Sequence, residues 1–302
     1  MPALNFPYHK TRIAPTPSGF LHLGNLLSFL ITAFIAEREN AAIVLRIDDL
    51  DRNRVRDIYI QDIFETLKFF NIPWNEGPRN PIDFQKWYSQ TKRINLYNDA
   101  LNMLREKNLV YACTCSRTML GNSPGIDHHI CKCAQQKIPL DKANAAWRLK
   151  TGTNPEIEFI DYSSGKKKEI LATEMSDFVV KKKDGNASYQ LTSIIDDIYL
   201  GIDLIIRGND LYPSTIAQNI LAAVLEKEEF KQITFLHHPL ILGDSGEKLS
   251  KSAGATSLHY LRKAGFTAID IYNQLAFLLG FTKKVNSGAM LAEMVLNNAE
   301  NL

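Results

Sequence analysis

The sequence predicts an α/β fold with a parallel sheet, an antiparallel insertion in its middle and a short helical end. Three observations predict it. Short runs of branched apolar residues alternate with helical periodicities through the first hundred or so residues. From Cys113 to about Tyr189 that pattern gives way to turn residues, cysteines and short alternating segments. The first pattern then resumes, and from about Ser257 the chain is helical in pattern.

Taken in order, residues 11–15 read as a short buried strand and 26–39 as a mostly apolar helix. Residues 42–48, rich in Ile, Val and Leu, predict a second strand. Residues 55–70 predict an amphipathic helix, with Ile58, Ile63, Leu67 and Phe70 near helical spacing, and 94–107 another around Leu101 and Leu104. In the insertion, 157–160 and 178–181 read as short strands. Beyond it, 202–207 predicts a strand, 214–226 a helix and 238–242 a further strand. No internal repeat or low-complexity linker interrupts the chain.

The 302 residues are 45% hydrophobic and 23% charged, the composition of a globular protein of one large or a few intertwined domains. The longest apolar run, 26–36, is broken by Ser28 and Thr32 and falls short of the roughly 18 residues that span a bilayer. No signal-peptide pattern opens the chain, so a cytoplasmic enzyme is the expectation. A net charge of +2 excludes a strongly basic nucleic-acid binder but leaves room for a local basic surface. Lys166–Lys168 and Lys181–Lys183 are two such runs, read first as a solvated hairpin face and second as phosphate contacts.

Two distant segments carry the chemistry. His22-Leu23-Gly24-Asn25 follows Ala14-Pro15-Thr16-Pro17-Ser18-Gly19 and opens a helix after the first strand. Glycines let a backbone approach a phosphate, and a helix N-terminus favours an anion. A histidine there can donate to phosphate oxygens as charge builds. Lys248-Leu249-Ser250-Lys251-Ser252 follows Gly243-Asp244-Ser245-Gly246-Glu247, a loop flexible by composition with two lysines three apart. Arg12 and Arg207, at two strand ends, suit a carboxylate substrate. All four cysteines, Cys113, Cys115, Cys131 and Cys133, lie within one short stretch. That clustering favours a structural zinc site over disulfides.

The paired segments resemble the HIGH and KMSKS signatures of class I aminoacyl-tRNA synthetases. The Arg12-Ile13-Ala14-Pro15 and Arg46-Ile47-Asp48-Asp49-Leu50-Asp51 context is similar to the glutamyl branch. The resemblance implies a Rossmann-like catalytic core in two halves, residues 1–112 and 190–252. It also implies an inserted zinc-bearing α+β subdomain over 113–189 and a helical stem-contact segment over 253–302. It implies that His22, Lys248 and Lys251 are catalytic, and that Ser18, Gly19, His22, Gly24, Asn25 and Lys251 hold ATP, accompanied by Mg²⁺. Glutamate would be held by Arg12, Ala14, Thr16, Asp48, Tyr189, Ser193 and Arg207. Asp48 stands where the family's RIEDTD carries a glutamate, one methylene longer. Asp49 and Asp51 are expected to be loop partners. Some relatives carry a zinc site built on a similar Cys-x-Cys pair and complete it with Cys, His or Tyr, which makes His128 and His129 candidates if Cys133 is not a ligand.

A glutamate-activating core followed only by residues 253–302 resembles the glutamyl-queuosine tRNA(Asp) synthetases. That implies transfer of glutamate to queuosine in the anticodon loop of tRNA(Asp) by a monomer. A compact glutamyl-tRNA synthetase charging a 3′ end, or a glutamyl ligase with another acceptor, fits the same motifs. A dead synthetase core serving as an interaction protein is disfavoured, because His22, Gly24 and Lys251 are all present.

Overall fold

The computed structural model describes residues 8–116, 131–241 and 257–298. In chain order the elements are β1 (Lys10–Ile13), α1 (Leu23–Glu39), β2 (Ala42–Leu45), α2 (Asp57–Phe69), α3 (Ile94–Glu106) and β3 (Val110–Cys113). They continue with β4 (Ala146–Leu149), β5 (Glu156–Asp161), β6 (Gly165–Ile170), β7 (Val179–Lys181) and α4 (Tyr189–Tyr199). Then come β8 (Leu204–Gly208), α5 (Tyr212–Val224), α6 (Glu228–Lys231) and β9 (Thr234–His238). Helices α7 (Leu258–Lys263), α8 (Ala268–Leu278) and α9 (Gly288–Asn298) end the described chain. The chain divides into two compact units: residues 1–92, 202–211 and 234–302, and residues 93–201 and 212–233.

The first unit is built on four strands in the order β2-β1-β8-β9, every pair parallel. The expected fold class is found here, and it follows from sequence: Ile43-Val44-Leu45 and Leu204-Ile205-Ile206 are continuous apolar runs, as strands covered on both faces must be. Between β1 and β2 runs α1, whose Leu26, Leu27, Ile31 and Ile35 are fully enclosed. Asn40 ends it in the left-handed conformation, φ 55°. The outer edge of β2 is covered: Asn75 Oδ1 accepts the Ile43 N–H at 2.7 Å, and the Leu45 N–H donates to the Glu76 carbonyl. Gly77 follows with φ +101°, where an added Cβ would lie 2.3 Å from the Leu45 carbonyl oxygen, so only glycine closes this edge.

One strand lies elsewhere than expected. The sequence placed it over residues 238–242; the structure has it at Thr234–His238. Register with β8 decides the matter, since Leu204 pairs Thr234 and Gly208 pairs His238. Pro239 has no N–H to continue the ladder. The apolar run Leu240-Ile241 that suggested the strand lies beyond its end.

The second unit contains the expected antiparallel strands: a sheet in the order β3-β4-β7 and a β5–β6 hairpin. Asp161 Oδ1 accepts the Ser163 and Ser164 N–H groups and sets the hairpin turn. Beneath, α3 and α4 are joined by a buried network: Arg93 and Tyr97 both donate to Asp196, at 2.7 Å each. Burial and the Asp196 charge push the Tyr97 hydroxyl far above its ordinary pKa, so it stays a donor.

Both lysine runs have partners within the second unit. Lys166, Lys167 and Lys168 pair with Glu158, Glu169 and Glu156 on the same hairpin. Lys182 pairs with Asp184, Lys183 donates to the Thr114 carbonyl, and the Lys181 ammonium lies 4.3 Å above the Trp147 ring. Among the described residues no helix is long and apolar enough to cross a membrane.

Candidate active site

His22 is the N-cap of α1, with extended backbone at φ −123° and ψ 173°. Its Nδ1 accepts the Gly24 N–H at 3.1 Å, and the Asn25 Oδ1 accepts the His22 N–H at 3.1 Å, closing a capping box. An imidazole is an unusual cap, since short oxygen side chains lead there. Its use has a chemical consequence. With Nδ1 held as an acceptor, the neutral ring carries its proton on Nε2, a donor at the positive end of a 17-residue helix. The HLGN motif therefore divides into parts: His22 to donate, Asn25 to fix the His22 backbone and Gly24 to leave room for the ring.

The carboxyl ends of β1, β2 and β8 supply the charged groups. Thr11 is in register with Leu204, so by alternation Arg12 and Arg207 project from the same face of the sheet. Both are buried, at 7% and 4% exposure. Arg12 donates to the Ile206 carbonyl at 3.2 Å, and the Arg207 guanidinium lies over the Phe235 ring at 5.2 Å. Beyond β2, Arg46 N–H donates to the Ile13 carbonyl and Asp48 N–H to the Pro15 carbonyl. This brings Asp48 alongside the turn that holds Ala14 and Thr16.

Arg46, to which the sequence reading gave no role, forks onto Asp48 at 2.8 and 3.2 Å, with both side chains nearly enclosed. The signal was present, because residues two apart in an extended segment share a face. Asp49 accepts from Arg52, the Ser89 hydroxyl and the Gln90 N–H, the structural part expected of it.

His238, read from sequence only as strand, ends β9. Its Nδ1 lies 2.9 Å from the Pro239 carbonyl, which can only accept, so Nε2 accepts the Ser28 hydroxyl of α1 at 2.6 Å. Burial lowers its pKa, so the ring is neutral. Tyr189 and Ser193 lie one turn apart on α4 in the second unit. Tyr189 is 42% exposed, whereas the buried Ser193 hydroxyl has no hydrogen-bond partner among the described residues. Lys248 and Lys251 lie outside the described residues, as do His128 and His129.

The four cysteines converge. Cys113 ends β3, and Cys133 sits in a 3₁₀ turn, Lys132–Gln135. The sulfur of Cys131 is 3.3 Å from that of Cys113 and 3.8 Å from that of Cys115, and Cys115 is 3.6 Å from Cys133. All four sulfurs lie within 4.8 Å of one another, and none is in a disulfide. A tetrahedral zinc with bonds of about 2.3 Å requires sulfurs about 3.8 Å apart, so the set fits such an ion. Burial pushes the Cys115 thiol up to about 12. At Cys133 burial acts the same way, but hydrogen bonds from the Thr114 backbone and the neighbouring thiols outweigh it and bring the thiol down to about 7.

Comparison with known proteins gives this arrangement its family. Residues 9–301 match the class I tRNA synthetases (E and Q), catalytic domain. A glutamate–tRNA ligase of Aquifex aeolicus is 31% identical over 282 residues, covering 89% of this chain and 57% of that protein. A glutamyl-Q tRNA(Asp) synthetase of Symbiobacterium thermophilum is 32% identical over 287 residues, covering 89% of this chain and 86% of that one. The crystal structure of a glutamate–tRNA synthetase from Elizabethkingia anophelis shares the fold, with a TM-score of 0.71 at 22% identity over 95% of this chain and 65% of that one. The chain spans somewhat over half the length of the ligases it matches. It belongs to the class I aminoacyl-tRNA synthetases of the glutamyl and glutaminyl type, a family of ligases.

Proposed function

We propose that this chain activates L-glutamate with ATP and Mg²⁺ and transfers it to queuosine in the anticodon loop of tRNA(Asp). The observation that carries the activation half is the juxtaposition of a histidine-capped helix with two buried arginines on one sheet face. On this reading Arg12 and Arg207 take the carboxylates of glutamate, and Asp48, steadied by Arg46, takes its ammonium. Ala14 and Thr16 complete the first unit's part of the amino-acid site. Ser18, Gly19, Gly24 and Asn25 shape the nucleotide turn, the His22 Nε2–H donates to phosphate, and Lys248 and Lys251 neutralise the developing charge.

A carboxylate oxygen of glutamate attacks the α-phosphorus, and pyrophosphate leaves. A hydroxyl of the acceptor then attacks the acyl carbon, losing its proton as AMP leaves with the bonding pair. The protein's part is orientation and charge neutralisation. Zinc on the four cysteines holds the second unit's small sheet and takes no part in chemistry, since four thiolates leave no open position.

The acceptor half draws its support from relatives named glutamyl-Q tRNA(Asp) synthetase at 30–32% identity, of which the chain covers 84–88%. Relatives named glutamate–tRNA ligase at 30–32% identity support a second reading, charging of a 3′ end.

The deciding substrate is queuosine-bearing tRNA(Asp) from which the 3′ adenosine has been removed. Labelled glutamate transferred to it supports the reading. Transfer only to intact 3′ ends, on queuosine-free tRNA, establishes the second one. Pyrophosphate exchange driven by another amino acid overturns the pocket itself.

A further inference from the structure

Asp62 of α2 is 1% exposed and lies behind the nucleotide turn rather than in it. One oxygen accepts the Leu21 N–H at 3.3 Å, from the residue that precedes His22. The other accepts from Arg262 and lies 3.3 Å from the His259 Nδ1, both on α7. The His259 ring is stacked on Phe20, with centroids 4.1 Å apart and planes 12° apart. Next to it the Leu258 N–H donates to the Leu21 carbonyl at 2.8 Å, and Ser257 bridges to His22. Asp62, Glu65 and His259 together have the outline of a cation site, but the Arg262 guanidinium already supplies the positive charge there.

We infer that Asp62 is a positioning residue for nucleotide binding. A single carboxylate fixes the backbone leading into His22 and, through His259 and Arg262, the helix that follows the Lys248–Lys251 segment in sequence. The two signatures lie more than two hundred residues apart, and both flanks are tied to this one buried charge. The inference rests on the proposed nucleotide role of His22. It adds a group that touches neither substrate and acts by holding the turn. Nothing in the sequence motifs marks Asp62, because its neighbours on α2 read only as an amphipathic face.

The test is Asp62→Asn, which keeps an acceptor for Leu21 and removes the charge that gathers α7. ATP·Mg²⁺ and glutamate binding are measured separately by calorimetry, alongside thermal melting. The dissociation constant for ATP is expected to rise roughly tenfold, the lower end for losing a charged hydrogen bond, with glutamate binding changed less than twofold. Glu65→Gln, which loosens only the exposed side of Arg262, should leave both unchanged.

Should Asp62→Asn fail to fold, His259→Ala carries the same test, with a smaller rise of about threefold, because Arg262 remains. ATP binding within twofold of wild type in a folded but less stable Asp62→Asn overturns the inference, as does an equal loss of glutamate affinity. A wild-type protein that binds no ATP overturns it together with the reading of His22. A wild-type protein that binds ATP but shows no glutamate-dependent exchange sinks the proposed function alone, and the ratio of ATP constants still decides the role of Asp62.

Discussion

Gly24→Ala separates the stability of α1 from the aim of His22. An ideal Cβ at position 24 would lie 3.1 Å from both Cε1 and Nδ1 of the His22 ring. Ordinary carbon contacts are about 3.5–4.0 Å, so the ring must retreat by about 0.5 Å. Its 3.1 Å bond to the Gly24 N–H then stretches to about 3.6 Å and ceases to be a hydrogen bond. Losing a cap costs about 1 kcal/mol. Replacing glycine by alanine returns about 0.8–1 kcal/mol in a helix interior and less at position 24, in the first turn. The two offset in part, so the melting temperature should fall only slightly.

Activity should fall further. If a misplacement of about 1 Å costs a hundredfold, half of it costs roughly tenfold. Glutamate-dependent ATP–pyrophosphate exchange measures that loss directly. The decisive comparison is the double variant with His22→Ala: an effect routed through the ring vanishes once the ring is gone, and the losses must fail to add. Exchange within twofold of wild type in Gly24→Ala, or additive losses in the double variant, would show that the glycine serves something other than the histidine.

Two further outcomes follow from the same reading. Lys251→Ala should lower adenylate formation by roughly two to three orders of magnitude, the cost of one preorganised charge donor, while glutamate binding measured by calorimetry stays as in the wild type; an unchanged rate removes this lysine from the mechanism. Protein purified without added zinc should carry one zinc per chain by elemental analysis. Cys133→Ala should lose it and weaken acceptor binding more than adenylate formation, and metal content near zero in the wild type refutes the site.

Much of this was legible in the sequence because the informative features are local. A cap, a turn and the start of an apolar helix are all specified by neighbours, so His22, Gly24 and Asn25 could be read as one device. Their division of labour could not be read, because it depends on which ring nitrogen faces Gly24. The cysteines were legible by exclusivity, since every thiol in the chain falls in one stretch. What failed was register. The run from Leu240 onward is as apolar as a strand, and only pairing with Leu204–Gly208 shows that the strand ends at His238. The lysine runs gain their partners only in the fold. Read along the chain they are blocks of positive charge, but the hairpin sets glutamates against Lys166–Lys168, and exposed pairs of that kind contribute little beyond neutralisation.

The pair between Arg46 and Asp48 changes how the amino-acid pocket is to be understood. An aspartate stands at position 48 where the family carries the longer glutamate, which shortens the reach of this carboxylate by one methylene. Forked onto the buried Arg46 guanidinium, the aspartate is held to one orientation. On the proposed reading Arg12 and Arg207 face the two carboxylates of glutamate and Asp48 faces its ammonium, an opposite charge for each, while Arg46 is engaged by Asp48. Glutamine would leave a buried guanidinium facing an amide, a poor exchange inside a protein. Aspartate would carry the right charges on a chain one methylene too short to reach both ends. On the proposed reading, selectivity for glutamate therefore comes from Arg12 and Arg207 meeting its two carboxylates, with Arg46 fixing the orientation in which Asp48 meets the ammonium.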